Sequence, residues 1–111
     1  MEKTNILFVC MMGRARSQKA RQIINEEYKE KFEAKCVGVH PFADYPLNLE
    51  SINWADKIIC MEENHKKLLL EKFPNLIKED ISVWNISPHY SFEDPKLENL
   101  LKCKLKETFK I

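Results

Sequence analysis

An apolar strand that ends in a cysteine and leads at once into a basic loop is the feature of this sequence that most constrains its fold. Residues 5–10 (NILFVC) are almost continuously apolar, which is typical of a central strand covered on both faces. Arg16 and Ser17 then open an amphipathic helix predicted over 17–30. The five residues between Cys10 and Arg16 are enough to wrap one turn of backbone around a tetrahedral oxyanion, with the thiol beneath it and the guanidinium beside it. The segment therefore predicts a phosphate site.

The order of charges along this helix supports a bound anion. A helix carries partial positive charge at its N-terminus, so acidic residues stabilise its first turn and basic residues its last turn. Here the order is reversed, with Arg14, Arg16, Lys19 and Arg21 at the start and Glu26, Glu27 and Glu30 near the end. Such an order costs a few tenths of a kcal/mol per charge, on a scale of about 0.3–1 kcal/mol, unless an anion occupies the N-terminus.

Strand and helix patterns alternate along the rest of the chain. Further strands are predicted at 33–39, 57–61 and 81–86, and further helices at 48–55, before Pro74 and from Pro95 onward. The helix residues expected to face the sheet are Ala20, Ile23, Ile24, Tyr28, Leu49, Ile52, Ala55, Leu68, Leu69, Phe73, Leu97, Leu100, Leu101 and Leu105. Parallel neighbours require crossover connections, so the order predicts an α/β fold of three layers with a four-stranded parallel sheet between helices. Ligands bind at the carboxyl ends of such strands, so the loop from Ser87 to Asp94 is expected beside Cys10.

Length and charge limit the class of protein. At 111 residues the chain is long enough for one core but not for two, which predicts a single domain over residues 1–111. The 18 basic and 17 acidic side chains nearly cancel, so no global field indicates a nucleic-acid or membrane partner. Residues 1–5 are too polar to begin a signal peptide and no stretch is long enough to span a bilayer, which favours a cytoplasmic protein.

The cysteines indicate reduced thiols. Cys10, Cys36, Cys60 and Cys103 form no CxxC pair, and no second ligand pair accompanies Cys36 and His40, so neither a disulfide framework nor a zinc site is expected. Cys60 would approach Cys10 if the first and third strands were neighbours, which would allow a regulatory disulfide. A core thiol is the simpler interpretation of Cys60.

The CMMGRARS segment resembles the C-x5-R-S loop of the low-molecular-weight protein tyrosine phosphatase superfamily. Residues that resemble a group of short bacterial predicted tyrosine phosphatases within it are PL at 46–47, WAD at 54–56, ME at 61–62, His65, Phe73-Pro74, and Tyr90 through FEDPKLENLL. The resemblance covers almost the whole chain. It implies the phosphotyrosine protein phosphatase I-like fold and a cysteine-dependent phosphatase acting on a phosphorylated protein or small molecule.

The residue types of the loop suit this chemistry. A helix N-terminus and an adjacent arginine stabilise a thiolate, so Cys10 is the expected nucleophile and would form a cysteinyl-phosphate that water hydrolyses. Arg16 would bind phosphate oxygens in a fork, and Ser17 would donate its hydroxyl to the sulfur. The backbone N–H groups expected to complete the cradle are those of Met11, Met12, Gly13, Arg14, Ala15, Arg16 and Ser17. Inorganic phosphate or sulfate should fit this cradle, and no metal or organic cofactor is expected.

Three small residues of the chain carry separate expectations. In a loop whose amides all turn inward, at least one residue usually needs a positive φ, and Gly13 would supply it. Similar sequences often have Asn at that position, which tolerates the same geometry. Gly38 is expected only to allow close packing of the backbone beside the loop. Ala15 stands where many tyrosine phosphatases of this type carry a second loop cysteine.

The sequence differs from the family at the position of the general acid. Phosphatases of this superfamily use an Asp in the loop after the fourth strand, and the short bacterial group resembles I-P-D-D-Y there, whereas this chain reads Ile86-Ser87-Pro88-His89-Tyr90. His89 is one candidate, because an imidazole can donate a proton near neutral pH. Asp94 is the other candidate, although as the residue before Pro95 it is better suited to cap the last helix.

Three functions remain open. The first is hydrolysis of phosphotyrosine or another aryl phosphate, with Trp84, Tyr90 and Phe92 as candidate walls for the aromatic ring. The second is a weak or inactive phosphoanion-binding module that has lost its acid. The third is a thiol-dependent arsenate reductase, which shares this fold but needs a cysteine relay for which Cys36, Cys60 and Cys103 have no obvious arrangement.

Overall fold

A parallel sheet forms the middle layer of the protein. The computed structural model describes residues 3–76 and 81–111. The strands found there are β1 (Thr4–Cys10), β2 (Phe32–Gly38), β3 (Lys57–Cys60) and β4 (Ile81–Val83), and the helices are α1 (Ala15–Glu27), α2 (Leu49–Trp54), α3 (Glu63–Lys72) and α4 (Pro95–Phe109). The strand order is β2-β1-β3-β4 and every pairing is parallel. The predicted three-layer α/β fold is therefore confirmed.

The two faces of β1 build the two halves of the core. Ile6, Phe8 and Cys10 face the side that holds α1 and α4, whereas Leu7 and Val9 face the side that holds α2 and α3. Ile6 through Val9 are all 0 % exposed, which confirms the prediction of a strand covered on both faces. On α4, Leu97, Leu101 and Leu105 are equally buried, and Leu100 packs at the margin of that cluster.

The fourth strand is shorter than predicted. Trp84 and Ile86 still donate backbone hydrogen bonds to the carbonyls of Cys60 and Met61. Asn85, however, adopts a φ of 56°, a left-handed conformation that cannot belong to an extended strand. The regular strand therefore ends at Val83 instead of residue 86.

Two helix predictions also need correction. Helix α1 occupies Ala15–Glu27 instead of 17–30, because the backbone turns at Tyr28, whose carbonyl accepts bonds from the amides of Lys31 and Phe32 that lead into β2. Leu49 is 57 % exposed although it was expected to face the sheet. Helix α2 has only 6 residues, and with fewer than two turns it buries Ile52 but cannot also bury its first residue.

The sheet brings several chain segments to one edge. The loop 10–17 follows the carboxyl end of β1, Glu62 follows β3, and residues 84–90 follow β4. Because parallel strands end at the same edge, these segments surround one another. Among the helices of the described residues, none is both long and apolar enough to cross a membrane.

Candidate active site

The sulfur of Cys10 lies beneath the loop 10–17. Its Sγ is 2.9 Å from the Oγ of Ser17, and the backbone N–H of Gly13 donates to it across 3.2 Å. Cys10 is 3 % exposed and Ser17 is 0 % exposed. Because a hydroxyl donates more strongly than a thiol, we assign Ser17 as the donor. The loop thus directs two hydrogen-bond donors at one sulfur.

Two carbonyl groups at the start of this loop bond to the segment that follows β2. Those of Cys10 and Met11 accept hydrogen bonds from the amides of Val39 and His40, each across 2.9 Å. At the other end of the loop, the first backbone bond of α1 runs from Gln18 to Arg14, so the N–H groups of residues 15–17 have no partner within the helix. These N–H groups are therefore available to a ligand at the start of α1, and a phosphate cradle in this loop stays a prediction.

Two glycines let the loop approach β2. Gly13 has a φ of +70°, which confirms the predicted left-handed residue, and a Cβ atom added there would lie 3.1 Å from the amide nitrogen of Gly38. At Gly38 an added Cβ would lie 2.6 Å from the carbonyl carbon of Met12. Gly38 therefore allows two backbones to touch, as the sequence predicted.

Arg16 is held in one orientation by two acceptors. It is 7 % exposed, and its Nη1 donates to Oε2 of Glu62 at 2.6 Å and to the carbonyl of Ile86 at 2.8 Å. These contacts use both hydrogens of Nη1. They leave Nε–H and Nη2–H side by side, which is the fork that binds two oxygens of a phosphate.

Glu62 and His65 support Arg16, and sequence reasoning did not single them out as site residues. Glu62 caps α3, and the Nδ1 of His65 accepts a bond from the Glu62 backbone N–H at 3.1 Å. The network assigns the imidazole proton to Nε2, which lies 3.6 Å from Oε2 of Glu62. Burial, followed by the charge of Arg16, lowers the pKa of His65. The position of Glu62 two residues after β3, at the same edge as Cys10, is the signal that could have identified it.

The two candidate acids occupy different positions. The carbonyl of Ile86 bonded to Arg16 draws the loop after β4 to the site, and His89 lies exposed on that loop. Asp94 caps α4 by accepting a hydrogen bond from the Lys96 amide at 2.9 Å. In the described chain, neither side chain hydrogen-bonds to Cys10, Ser17 or Arg16.

The three aromatic residues predicted as walls of the site have different surroundings. Trp84 is 3 % exposed, contacts Phe8 with ring centroids 5.6 Å apart and donates its Nε1–H to Thr108 at 3.0 Å. It is therefore part of the core and does not wall the site. Tyr90 packs against the margin of the same core cluster. The Nζ of Lys19 lies 4.4 Å from the ring centroid of Phe92.

Cys60 and Cys10 face opposite sides of the sheet. Strands β1 and β3 are neighbours, and Val9 pairs with Cys60, but Cys60 faces the α3 side whereas Cys10 faces the α1 side. Burial raises the pKa of Cys60 to about 12, as expected for a core thiol. Cys36 is buried, Cys103 is exposed, and all four thiols are free.

Comparisons with known proteins agree with this architecture. No protein-family model and no curated protein matches the chain. Among solved structures, the YwlE arginine phosphatase from Geobacillus stearothermophilus is 23 % identical with a TM-score of 0.71, and the alignment covers 96 % of this chain and 93 % of that one. The low-molecular-weight protein tyrosine phosphatase from T. tengcongensis is 22 % identical with a TM-score of 0.71 and coverages of 95 % and 99 %.

A third structure has the same fold at a still lower sequence identity. SP-PTP, a low-molecular-weight protein tyrosine phosphatase from Streptococcus pyogenes, is only 13 % identical, yet it has a TM-score of 0.75 with coverages of 94 % and 92 %. At these identities the likeness concerns the fold. The parallel sheet and its flanking helices therefore have the fold of low-molecular-weight protein tyrosine phosphatases.

Proposed function

We propose that this protein is a phosphatase that hydrolyses a phosphomonoester, phosphotyrosine or another aryl phosphate, through a cysteinyl-phosphate intermediate on Cys10. The observation that carries the proposal is the joint geometry of Cys10, Ser17 and Arg16. The sulfur receives two hydrogen bonds, and the guanidinium is held so that its remaining fork is available to an anion. The phosphatase fold of the structural neighbours supports the same conclusion.

The proposed reaction has two steps. The thiolate of Cys10 attacks phosphorus while the bond to the leaving oxygen breaks, and Arg16 with the loop amides stabilises the charge on the equatorial oxygens. The leaving oxygen takes a proton from a general acid. His89 is the candidate, because it lies only three residues after Ile86, whose carbonyl contacts Arg16. Water then attacks the phosphorus of the cysteinyl-phosphate and gives a proton to the deprotonated general acid, so the P–S bond breaks, phosphate is released and the thiolate is restored. Ser17 eases this departure by donating to the sulfur.

A second candidate is a phosphoanion-binding module with little turnover. Two observations favour it: Asp94 already serves as the cap of α4, and the loop 86–90 carries no carboxylate. General acids contribute about 10²- to 10⁴-fold to such reactions, so a protein without one would retain the cradle but lose most of its rate on poor leaving groups.

Turnover of para-nitrophenyl phosphate separates the two candidates. We expect hydrolysis by the unaltered protein, none by Cys10→Ser, and full activity in the matched control Cys103→Ser, because Cys103 is exposed on α4. Absence of turnover, together with thermal stabilisation by phosphate or vanadate, would favour the binding module. Absence of both would reject the phosphate site itself.

The substrate class needs its own comparison. Because one structural neighbour is an arginine phosphatase and another is a protein tyrosine phosphatase, phosphotyrosine and phosphoarginine should be assayed side by side. We expect the higher kcat/KM for phosphotyrosine, since an aryl oxygen leaves readily without a strong general acid. A clear preference for phosphoarginine would contradict the aryl phosphate assignment and leave the cysteine mechanism intact.

A further inference from the structure

A cavity beside the loop 10–17 takes no part in the proposed reaction. Its volume is about 330 Å³, and it is bounded by α1, the edge strand β2 and residues 44–48. Cavities of this size hold a small ligand or one to two side chains. Three of its lining residues are charged, namely Arg21, Lys35 and Asp44.

The cavity is connected to the loop through one ion pair. Arg14, the fifth residue of the loop 10–17, donates from Nε and Nη2 to the two carboxylate oxygens of Asp44 at 2.8 and 3.1 Å. Asp44 in turn lines the cavity. Arg14 is the N-cap residue of α1, and Arg21 lies within that helix. The Arg14–Asp44 pair therefore lies between the loop and the cavity, and Arg21 lines the cavity itself.

The acidic residue of the cavity is already neutralised. Its hydrogen bond to Arg14 lowers the pKa of Asp44, so the carboxylate stays ionised and paired. Arg21 and Lys35 form no ion pair within the described parts of the chain. The Nζ of Lys35 lies 4.5 Å from the ring centroid of Trp54, and the buried Nε of Arg21 has no hydrogen-bond partner there. The cavity thus has an excess of positive charge.

The edge of β2 adds a peptide group. Along this strand the outward-facing groups of Ala34 bond to the side chain of Asn25, and those of Gly38 bond to Tyr45 and Leu47. Backbone groups alternate in direction along a strand, so the N–H and C=O of Cys36 face outward as well. Cys36 lines the cavity, and within the described residues no partner occupies these two groups.

We propose that this cavity binds an acidic stretch of a phosphorylated polypeptide, next to the residue whose phosphate enters the loop 10–17. This inference rests on the proposed function. Arg21 and Lys35 would pair with carboxylates of the substrate, and the outward N–H and C=O of Cys36 would bond to its main chain, as in recognition by an exposed strand edge. The exposed Arg14–Asp44 pair contributes little to stability by itself. The substrate would pass over this pair between the loop 10–17 and the cavity.

Matched phosphotyrosine peptides test the proposal. One peptide carries Glu at the three positions on each side of phosphotyrosine, and its partner carries Gln at the same positions. We expect kcat/KM for the Glu peptide to exceed that for the Gln peptide, and each of Arg21→Gln and Lys35→Gln to reduce this ratio about fivefold, since a charge pair of about 1 kcal/mol has that effect. Lys29→Gln is the control, because Lys29 is exposed beyond the end of α1 and should leave the ratio unchanged.

The outcomes remain distinguishable from failure of the proposed function. If the unaltered protein hydrolyses para-nitrophenyl phosphate but treats the Glu and Gln peptides equally, the cavity proposal is overturned and the phosphatase proposal stands. If nothing is hydrolysed, fluorescence anisotropy of the labelled peptides on Cys10→Ser measures binding alone, and equal dissociation constants reject the cavity. Should Arg21→Gln unfold, Lys35→Gln decides, because Lys35 is exposed on the strand edge.

Discussion

Nη1 of Arg16 donates to Glu62 at 2.6 Å. The carboxylate of Glu62, which follows β3, therefore fixes the direction of the Arg16 guanidinium, which follows β1. The side chain of Glu62 is 38 % exposed and that of Arg16 is 8 % exposed. The pair is therefore shielded on the arginine side. This contact determines which N–H groups of Arg16 remain for a ligand, and it makes Glu62 a positioning residue for the proposed site.

Replacing Glu62 with Gln should weaken phosphate binding. The change keeps a hydrogen-bond acceptor but removes the charge that orients Arg16, and we expect kcat/KM for para-nitrophenyl phosphate to fall about tenfold, equivalent to about 1.4 kcal/mol. The neighbouring Glu63→Gln is the matched control, because Glu63 is exposed and does not contact Arg16. Equal rates for the two variants would show that Glu62 does not position Arg16.

The buried His65 should make stability depend on pH. Its pKa is lowered from the ordinary value of 6.5, so below that value the unfolded chain binds the proton more readily than the folded one. The free energy of unfolding should therefore be fully retained above about pH 6.5 and decline as pH falls toward the lowered pKa. Protonation also removes the lone pair of Nδ1 that accepts the Glu62 amide.

Urea unfolding at pH 8 and pH 5 measures this effect. The decline between the two pH values should be smaller in His65→Gln than in the unaltered protein. His89→Gln serves as a control because His89 is exposed and should leave the decline as it is. An identical decline in all three proteins would mean that His65 is not the responsible group.

The two glycines should respond differently to Ala. At Gly13 the added Cβ meets atoms at 3.1 Å or more, and the cost is that of a left-handed φ of +70°, about 1–2 kcal/mol. At Gly38 the Cβ would lie 2.6 Å from both Ala43 Cβ and the Met12 carbonyl carbon, an overpacking that costs about 3 kcal/mol. Urea midpoints should therefore fall further for Gly38→Ala than for Gly13→Ala. The reverse order would mean that the left-handed backbone conformation at Gly13 costs more stability than the close contact at Gly38.

Asp94 allows capping and catalysis to be separated. Asn caps helices about as well as Asp but cannot act as a carboxylic acid, so Asp94→Asn should keep both stability and rate, whereas Asp94→Ala should lose about 1 kcal/mol of stability. The measurements are thermal unfolding and the rate on aryl phosphates with poor leaving groups. A loss of 100-fold or more in Asp94→Asn, the lower range for a general acid, would instead identify Asp94 as the acid.

Local patterns were sufficient for much of the fold. The apolar run 5–10 predicted β1 because burial on both faces leaves no alternation, and the spacing from Cys10 to Arg16 predicted a loop with inward amides. The end of β4 could not be predicted, since Asn85 adopts its φ of 56° only while the amides of Trp84 and Ile86 bond to β3 and the segment after it. The exposure of Leu49 likewise depends on the length of α2 against the sheet.

The amino-acid sequence by itself determined the strand, the glycine and the loop that gathers donors around Cys10, because these depend on residues within a few positions of one another. Only the tertiary structure decided which partners complete the site. Arg16 meets Glu62 and the carbonyl of Ile86, which lie 46 and 70 residues further along the chain. Such contacts arise because parallel strands deliver their carboxyl ends to one edge, and the order of those strands follows from packing of the whole core.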